Sequence, residues 1–367
     1  MNAPLVEQIA DAVLYEGYIL YPYRPSSVKN RQRWTFGGVA PRAYCEAQVA
    51  GASDTWSQRT ECLVEGGDDT AIEVKLRFLH LLAREVGELA HPLPALTNGA
   101  EPPSRSVEAL TVGGRTYRTW QEAVEREVVT PALRVDELTT RPHRCPFAFP
   151  AGRTWEPLRD GAGEVVGVIV RRQAPLAGAL EVAAEAVTAG EGERLLKVTV
   201  RVTNETPFTP DALADRGARD AALLHSFVST HTVLGVRGGA FVSLLDPPTR
   251  LAALAAGCAN AGTWPVLVGE EGQRDTILSS PIILYDYPEI APESPGDLFD
   301  GTEIDEILTL RILALTDDEK DEMRQIDERA RALLERTENL SGDDLLRLHG
   351  AMRSIRPREG VGPGNAG

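Results

Sequence analysis

The sequence predicts an α+β protein: mainly antiparallel, β-sandwich-like sheets with a C-terminal helical segment. Three observations carry that prediction. Ile72, Val74, Leu76, Phe78 and His80 alternate with Glu73, Lys75, Arg77 and Leu79, the period of a half-buried strand. Leu176–Ala189 and Leu195–Val202 flank the short polar link Gly190-Glu191-Gly192-Glu193, which reads as a hairpin. Beyond residue 302 the apolar spacing changes to about 3.6, with Ile304, Ile307, Leu308, Ile312 and Leu315 on one stripe.

Taken in order, Pro4–Val13 has a short helical pattern. Tyr15, Tyr18, Tyr21 and Tyr23 then crowd together, and Ile19, Tyr21 and Tyr23 alternate with Leu20 and Pro22 as in a strand ending at Pro22 or Pro25. A basic loop follows, around a short strand at Arg33–Phe36. Thr60–Val64 and Ala71–Arg84 read as two strands turning at Gly66-Gly67-Asp68-Asp69. His80 continues the apolar face of the second, as a satisfied buried or edge histidine does. His91–Ser106 is a proline-rich connection, Leu110–Arg118 a hairpin turning at Gly113-Gly114, and Trp120–Val129 a short helix.

Thr140–Pro157 holds His143 and Cys145 among prolines, a weak partial metal signal with no further Cys or His close by. Val165–Arg171 is a strand and Asp211–Leu223 a helix. Ser226–Arg237 and Ala240–Leu245 are strands separated at Gly238-Gly239. Arg250–Asn260 is an Ala-rich helical piece, and the strands Trp264–Val268 and Arg274–Tyr285 finish the sheet. Thr302 with Asp305, Thr316 with Glu319, and Ser341 with Asp344 stand at capping spacing before three tail helices. The expected division is a β-rich domain with short helices over 1–285, an acidic loop and helical segment packed on it over 286–356, and a disordered tail over 357–367.

The net charge of −16 is uneven. Residues 286–344 hold 19 acids against 6 bases, whereas 22–44 carry Arg24, Lys29, Arg31, Arg33 and Arg42 and no acid. The acidic total disfavours nucleic acid as a partner. No apolar run reaches 18 residues, so membrane insertion is not expected. The N-terminus has Glu7 and Asp11 and no leading basic cluster, which argues against a secretory signal. Cys45, Cys62, Cys145 and Cys258 are widely spaced without a CxxC, which fits a reducing cytoplasm.

No nucleophile elbow, phosphate-binding loop, dinucleotide fingerprint or HExxH motif is present, and no cofactor is expected. The stretch Ile282–Glu306 is the junction of the chain: a strand-like run breaks into an acidic loop stiffened by Pro288, Pro292 and Pro295. Its Asp286, Tyr287, Glu289, Glu293, Asp297 and Asp300 are candidates for contact with a partner. So are Tyr21, Tyr23, Arg24, Lys29, Arg31, Arg33 and Trp34, because Tyr, Trp and Arg supply interface anchors. The same residues also read as neighbours in one fold, with Arg24, Arg31 or Arg33 paired to Asp286, Glu289 or Asp297. A metal-binding or enzymatic alternative combines the loop's carboxylates with His225 or His231, six residues apart on one predicted strand face.

Two segments carry a resemblance: LYEGYILYPYRPSSVKNRQRWTFGGV (Leu14–Val39) and LYDYPEIAPESPGDLFDGTEIDEILTLRILALTDDEK (Leu284–Lys320). Together they resemble an uncharacterised bacterial family encoded beside the structural and maturation genes of actinobacterial-type uptake NiFe hydrogenases. The resemblance covers these two blocks directly and the intervening β region only in general character. It implies a non-catalytic accessory or assembly role, with a hydrogenase subunit or maturation protein as partner. It assigns no catalytic residue and fixes no oligomeric state.

Overall fold

A computed structural model describes residues 3–19, 37–48, 54–96, 100–188, 194–209, 217–289 and 312–324, with 331, 334–335 and 337–339 of the tail. Its spine is a single strand, β1 (Ser57–Leu93), 37 residues long. Along one edge of β1 lie β11 (Arg194–Asn204), β6 (Leu133–Arg134), β5 (Trp120–Val129) and β2 (Arg105–Val107). Along the other lie β12 (Val228–Val242) and β9 (Val165–Gln173). The sheet continues through β10 (Leu176–Thr188) and β7 (His143–Phe149) beyond β11, through β14 (Thr276–Ser280) and β13 (Trp264–Leu267) beyond β12, and through β8 (Gly152–Arg159) beyond β9. All twelve strands pair antiparallel, as the alternation predicts.

A straight strand of this length would span roughly 120 Å at ~3.3 Å per residue. β1 bends instead, at irregularities in its pairing. Gly66 faces Gly239 and Ala71 faces Arg237, so residues 67–70 bulge out opposite Gly238 alone. This corrects two predicted turns together: neither 66–69 nor 238–239 reverses the chain. The glycines serve close approach. A Cβ on Gly239 would stand 2.7 Å from the Glu65 carbonyl, and Gly238 has φ +68. Thr70 Oγ1 closes the bulge by donating to the Gly238 carbonyl at 2.8 Å. The predicted turn at Gly113-Gly114 does form, with φ of 60 and 80 between β3 (Ala109–Val112) and β4 (Arg115–Arg118), the signature of a tight hairpin.

The second correction is β5, predicted as a helix. Its Gln, Glu, Ala and Arg favour helix, but propensity is a weak bias that tertiary pairing overrides, and ten residues of β1, Lys75–Arg84, need a partner along that edge. The charges then find diagonal cross-strand mates: Glu125 with Arg77 at 3.3 Å, Glu127 with Lys75 at 3.6 Å and Glu122 with Arg84 at 2.9 Å. Arg171 joins the last pair from the far edge at 2.6 Å, so one carboxylate holds two guanidinium groups.

The sheet curls so that the inner faces of β1, β7, β10, β11 and β12 enclose one apolar cluster, the sandwich-like layering expected. Phe78 lies at its centre, 4.7 Å from Phe227 and about 6 Å from Phe147 and Phe149 between ring centroids. Outside, α1 (Ala3–Ile19) lays Val6, Ile9, Ala10 and Val13 against Val266, Val268 and Leu278. Glu7 pairs with Lys75 and Arg77, and Asp11 with Arg77 at 2.5 Å. Because α1 runs to Ile19, that residue is helical and not the start of a strand.

Among the described residues, short helices with defined bounds are α2 (Arg42–Ala47), α3 (Val135–Thr140), α4 (Gly217–Leu224), α5 (Ala252–Ala256) and α6 (Asp317–Arg324). None of the described helices is long and apolar enough to cross a membrane. The predicted box before α6 forms in both directions: Thr316 Oγ1 accepts from Glu319 N at 3.3 Å, and Glu319 Oε2 accepts from Thr316 N at 2.8 Å. Thr316→Ala is expected to cost about 1 kcal/mol. The change in urea midpoint, set against a solvent-exposed control substitution, measures it.

Candidate functional site

The two distinctive segments meet in the fold at their described ends. Leu14, at the start of the first, shares a buried cluster with Ile312, Met323 and Leu334, and Leu315 packs against it. Val13 shares another with Leu284, where the second segment begins. Gly37, near the end of the first, takes φ +53 and leaves no room for a side chain, since a Cβ would lie 2.6 Å from the Pro281 ring. The Gly37 carbonyl accepts from Thr230 N at 3.1 Å, and Val39 bridges to Phe227.

Of the candidate contact residues, Tyr21, Tyr23, Arg24, Lys29, Arg31, Arg33, Trp34, Glu293, Asp297 and Asp300 lie outside the described residues. Asp286 is engaged within the chain: Oδ2 accepts from Ser243 Oγ at 2.5 Å and Oδ1 from Leu267 N at 2.8 Å. Tyr287 donates its N–H to the Leu267 carbonyl at 2.7 Å, packs on the main core and holds φ +53, a left-handed conformation costly for an aromatic residue. Glu289 is exposed. On either side of Leu284 the chain turns a large apolar side chain to solvent, Ile283 at 73% and Tyr285 at 86% exposure.

Neither Ile283 nor Tyr285 is among the contact candidates that the residue pattern points to. Their signal was the alternation of Ile282, Leu284 and Asp286 inward with Ile283 and Tyr285 outward. It was hidden because the predicted strand over 274–285 actually ends at Ser280.

Beside this segment, a cavity of about 270 Å³ opens where Gly37–Ala40, α2, α4 and Pro281 come together. Val39, Ala222, Leu223, Trp264 and Pro281 give it apolar walls. Its polar side chains are Tyr44, Asp54, Gln58 and Arg219, with Thr55 and Ser226, whose hydroxyls donate to the Ser57 and Ala222 carbonyls. Gln58 is spent, donating to the carbonyls of Thr230 and Gly262 at 3.0 Å each. Asp54 Oδ2 accepts from Gln48 Nε2 at 2.8 Å and from the Tyr44 hydroxyl at 3.3 Å. Burial, then Asp54, raises the Tyr44 phenol above its ordinary range, while Arg219 opposes that shift.

His225 and His231 do not form a site. The left-handed Ser229 (φ 51) puts a bulge between Val228 and His231, which shifts the alternation. His225 stacks edge-on to Phe208, whereas His231 is wholly buried, donates from Nδ1 to the Ser229 carbonyl and faces Arg77 and Asp11. Among the described residues no three of His, Cys, Asp and Glu gather as a metal would require. Cys145 faces inward beside Phe147 and Phe149 and packs on the core. Burial pushes the Cys45 and Cys258 thiols up to about 11 and Cys62 higher still, which keeps all three protonated and poor nucleophiles.

Comparison with protein-family models, with curated proteins and with solved structures yields no match to this chain.

Proposed function

We propose that the chain is a cytoplasmic accessory or assembly protein that works by contact with another protein, with a subunit or maturation factor of an uptake NiFe hydrogenase as its partner. The observation that carries the contact reading is the ledge at Ile283 and Tyr285. Its apolar side chains face water while Leu284, Asp286 and Tyr287 on either side are fixed to the body. A ledge held in one conformation loses little entropy on docking, and an aromatic on such a ledge is a typical anchor. The hydrogenase partner rests on the resemblance of the two segments, which the fold brings side by side at their described ends.

Affinity purification of the tagged chain from its native host, followed by mass spectrometry, tests both parts. Hydrogenase subunits or maturation proteins are expected to co-elute, and the Ile283→Ser/Tyr285→Ser double variant is expected to lose most of them. Because both side chains are exposed, its melting temperature should stay within about 2 °C of the parent. Co-elution that survives the double variant would remove the ledge from the interface. Absence of every hydrogenase component, with unchanged hydrogenase activity after gene deletion, would remove the partner.

A further inference from the structure

The cavity beside the ledge carries a separate inference. Arg219 lies half-buried on its wall and makes no hydrogen bond or ion pair with any described residue. Asp54 lies on the same wall system, with Oδ2 holding two donors and Oδ1 receiving none from the described residues. The two charges form no ion pair with each other, although both act on the Tyr44 hydroxyl. A guanidinium and a carboxylate that share a cavity without meeting are complementary to a ligand bearing both opposite charges. The apolar wall of Val39, Ala222, Leu223, Trp264 and Pro281 supplies a place for a hydrocarbon group.

We propose that this cavity binds a small zwitterion, an α-amino acid with an apolar side chain, its carboxylate on Arg219 and its ammonium on Asp54. The volume of about 270 Å³ suits a single amino acid. A simple anion is disfavoured by Asp54, and a simple amine by Arg219, because either leaves one like charge facing it in a partly desolvated space. A zwitterion satisfies both, through two charge-assisted hydrogen-bond sets of the stronger kind. This site does not depend on the docking proposal, and either one stands if the other fails.

The test uses the full chain and titration calorimetry with each of the twenty L-amino acids at millimolar concentration. Binding of at least one apolar amino acid is expected. If leucine is the ligand, 3-methylbutylamine and 4-methylpentanoate, each lacking one charged group, should bind at least about tenfold more weakly, a loss of about 1.4 kcal/mol. Arg219→Gln and Asp54→Asn should each weaken binding by a similar factor. Arg219→Gln breaks no described contact, so its unliganded melting curve should match the parent and keep the comparison free of misfolding. Silence across all twenty amino acids overturns the proposal. So does binding that Arg219→Gln leaves unchanged, or inorganic phosphate binding as well as the best amino acid.

Discussion

Phe78→Ala should lower the unfolding free energy by about 4 kcal/mol, the largest single loss expected for the chain. Phe78 is fully buried in the middle of β1, and its ring is the common neighbour of Phe147, Phe149 and Phe227. Those rings come from β7 and from the residue just before β12, strands whose places are set by β10 and β1 and which cannot close on a void without giving up ladder bonds. The cost therefore includes the transfer term of the lost ring and a cavity term that relaxation does not remove. Phe78→Leu, which refills most of the space, should cost less than half as much. Urea denaturation of the three proteins measures both differences. Equal stability of the Ala and Leu variants would show that the cluster collapses freely and that the curl is looser than its packing indicates.

Acidification should be the second large effect, through two histidines. An unfolded imidazole titrates near 6.5. Burial, then the adjacent Arg126 and more distantly His225, holds His80 down to about 4, against the Ala174 carbonyl that its Nε2–H reaches at 2.9 Å. Burial holds His231 at about 4 as well, with Arg77 on the same side of the balance and the Ser229 carbonyl and Asp11 opposing it. Between pH 6.5 and 4 the unfolded chain binds protons that the folded chain does not, so stability rises with pH across that window.

The contribution of these rings is complete above about pH 6.5 and is lost as the pH falls to about 4, up to roughly 3 kcal/mol for each. Urea midpoints at about pH 7.5 and pH 4.5 give the slope for the whole chain, carboxylates included. His80→Gln and His231→Asn should each be less stable than the parent at the higher pH and show a smaller loss on acidification. A variant slope equal to the parent's would mean that the ring concerned takes up its proton as readily in the folded chain as in the unfolded one.

The fold was legible where one residue pattern had one physical meaning. Alternation over Ile72–His80 sets one face inward whatever lies beside it, and Thr316 with Glu319 caps a helix by purely local bonds. It was illegible where the partner decides. The helix-favouring composition of Trp120–Val129 gave way to ten ladder positions on β1, fixed by residues some forty positions upstream. Gly66-Gly67 and Gly238-Gly239 look like turns singly. Only the register between them shows that Gly238 and Gly239 make room for the backbone of Asp69 and Glu65, and that Gly66 makes room for the Thr70 side chain.

The site was legible in part. The stretch from Leu284 onward stands out in composition, and its Asp286 is indeed a singular residue, but as a clamp on Ser243 and Leu267 rather than a solvent-facing charge. The placing of Arg219 and Asp54 on the wall of one cavity joins positions 165 residues apart and has no sequence signal.

The long central strand also sets a schedule for synthesis. β1 is complete at Leu93, yet its first nine residues have no ladder partner until β11 ends at Asn204, and β12 is finished only at Val242. At ~5–20 residues per second, this hydrophobic ribbon leaves the ribosome on the order of 10 s before the strands that cover it. During that interval the Ser57–Glu65 edge that β11 takes and the Leu63–Leu79 edge that β12 takes stay open to other chains, although β5 and β9 cover other parts of the strand sooner. Production of the protein should therefore depend on trigger-type holding factors at the ribosome exit, and rapid overexpression should divert nascent chains into aggregates that slower translation avoids.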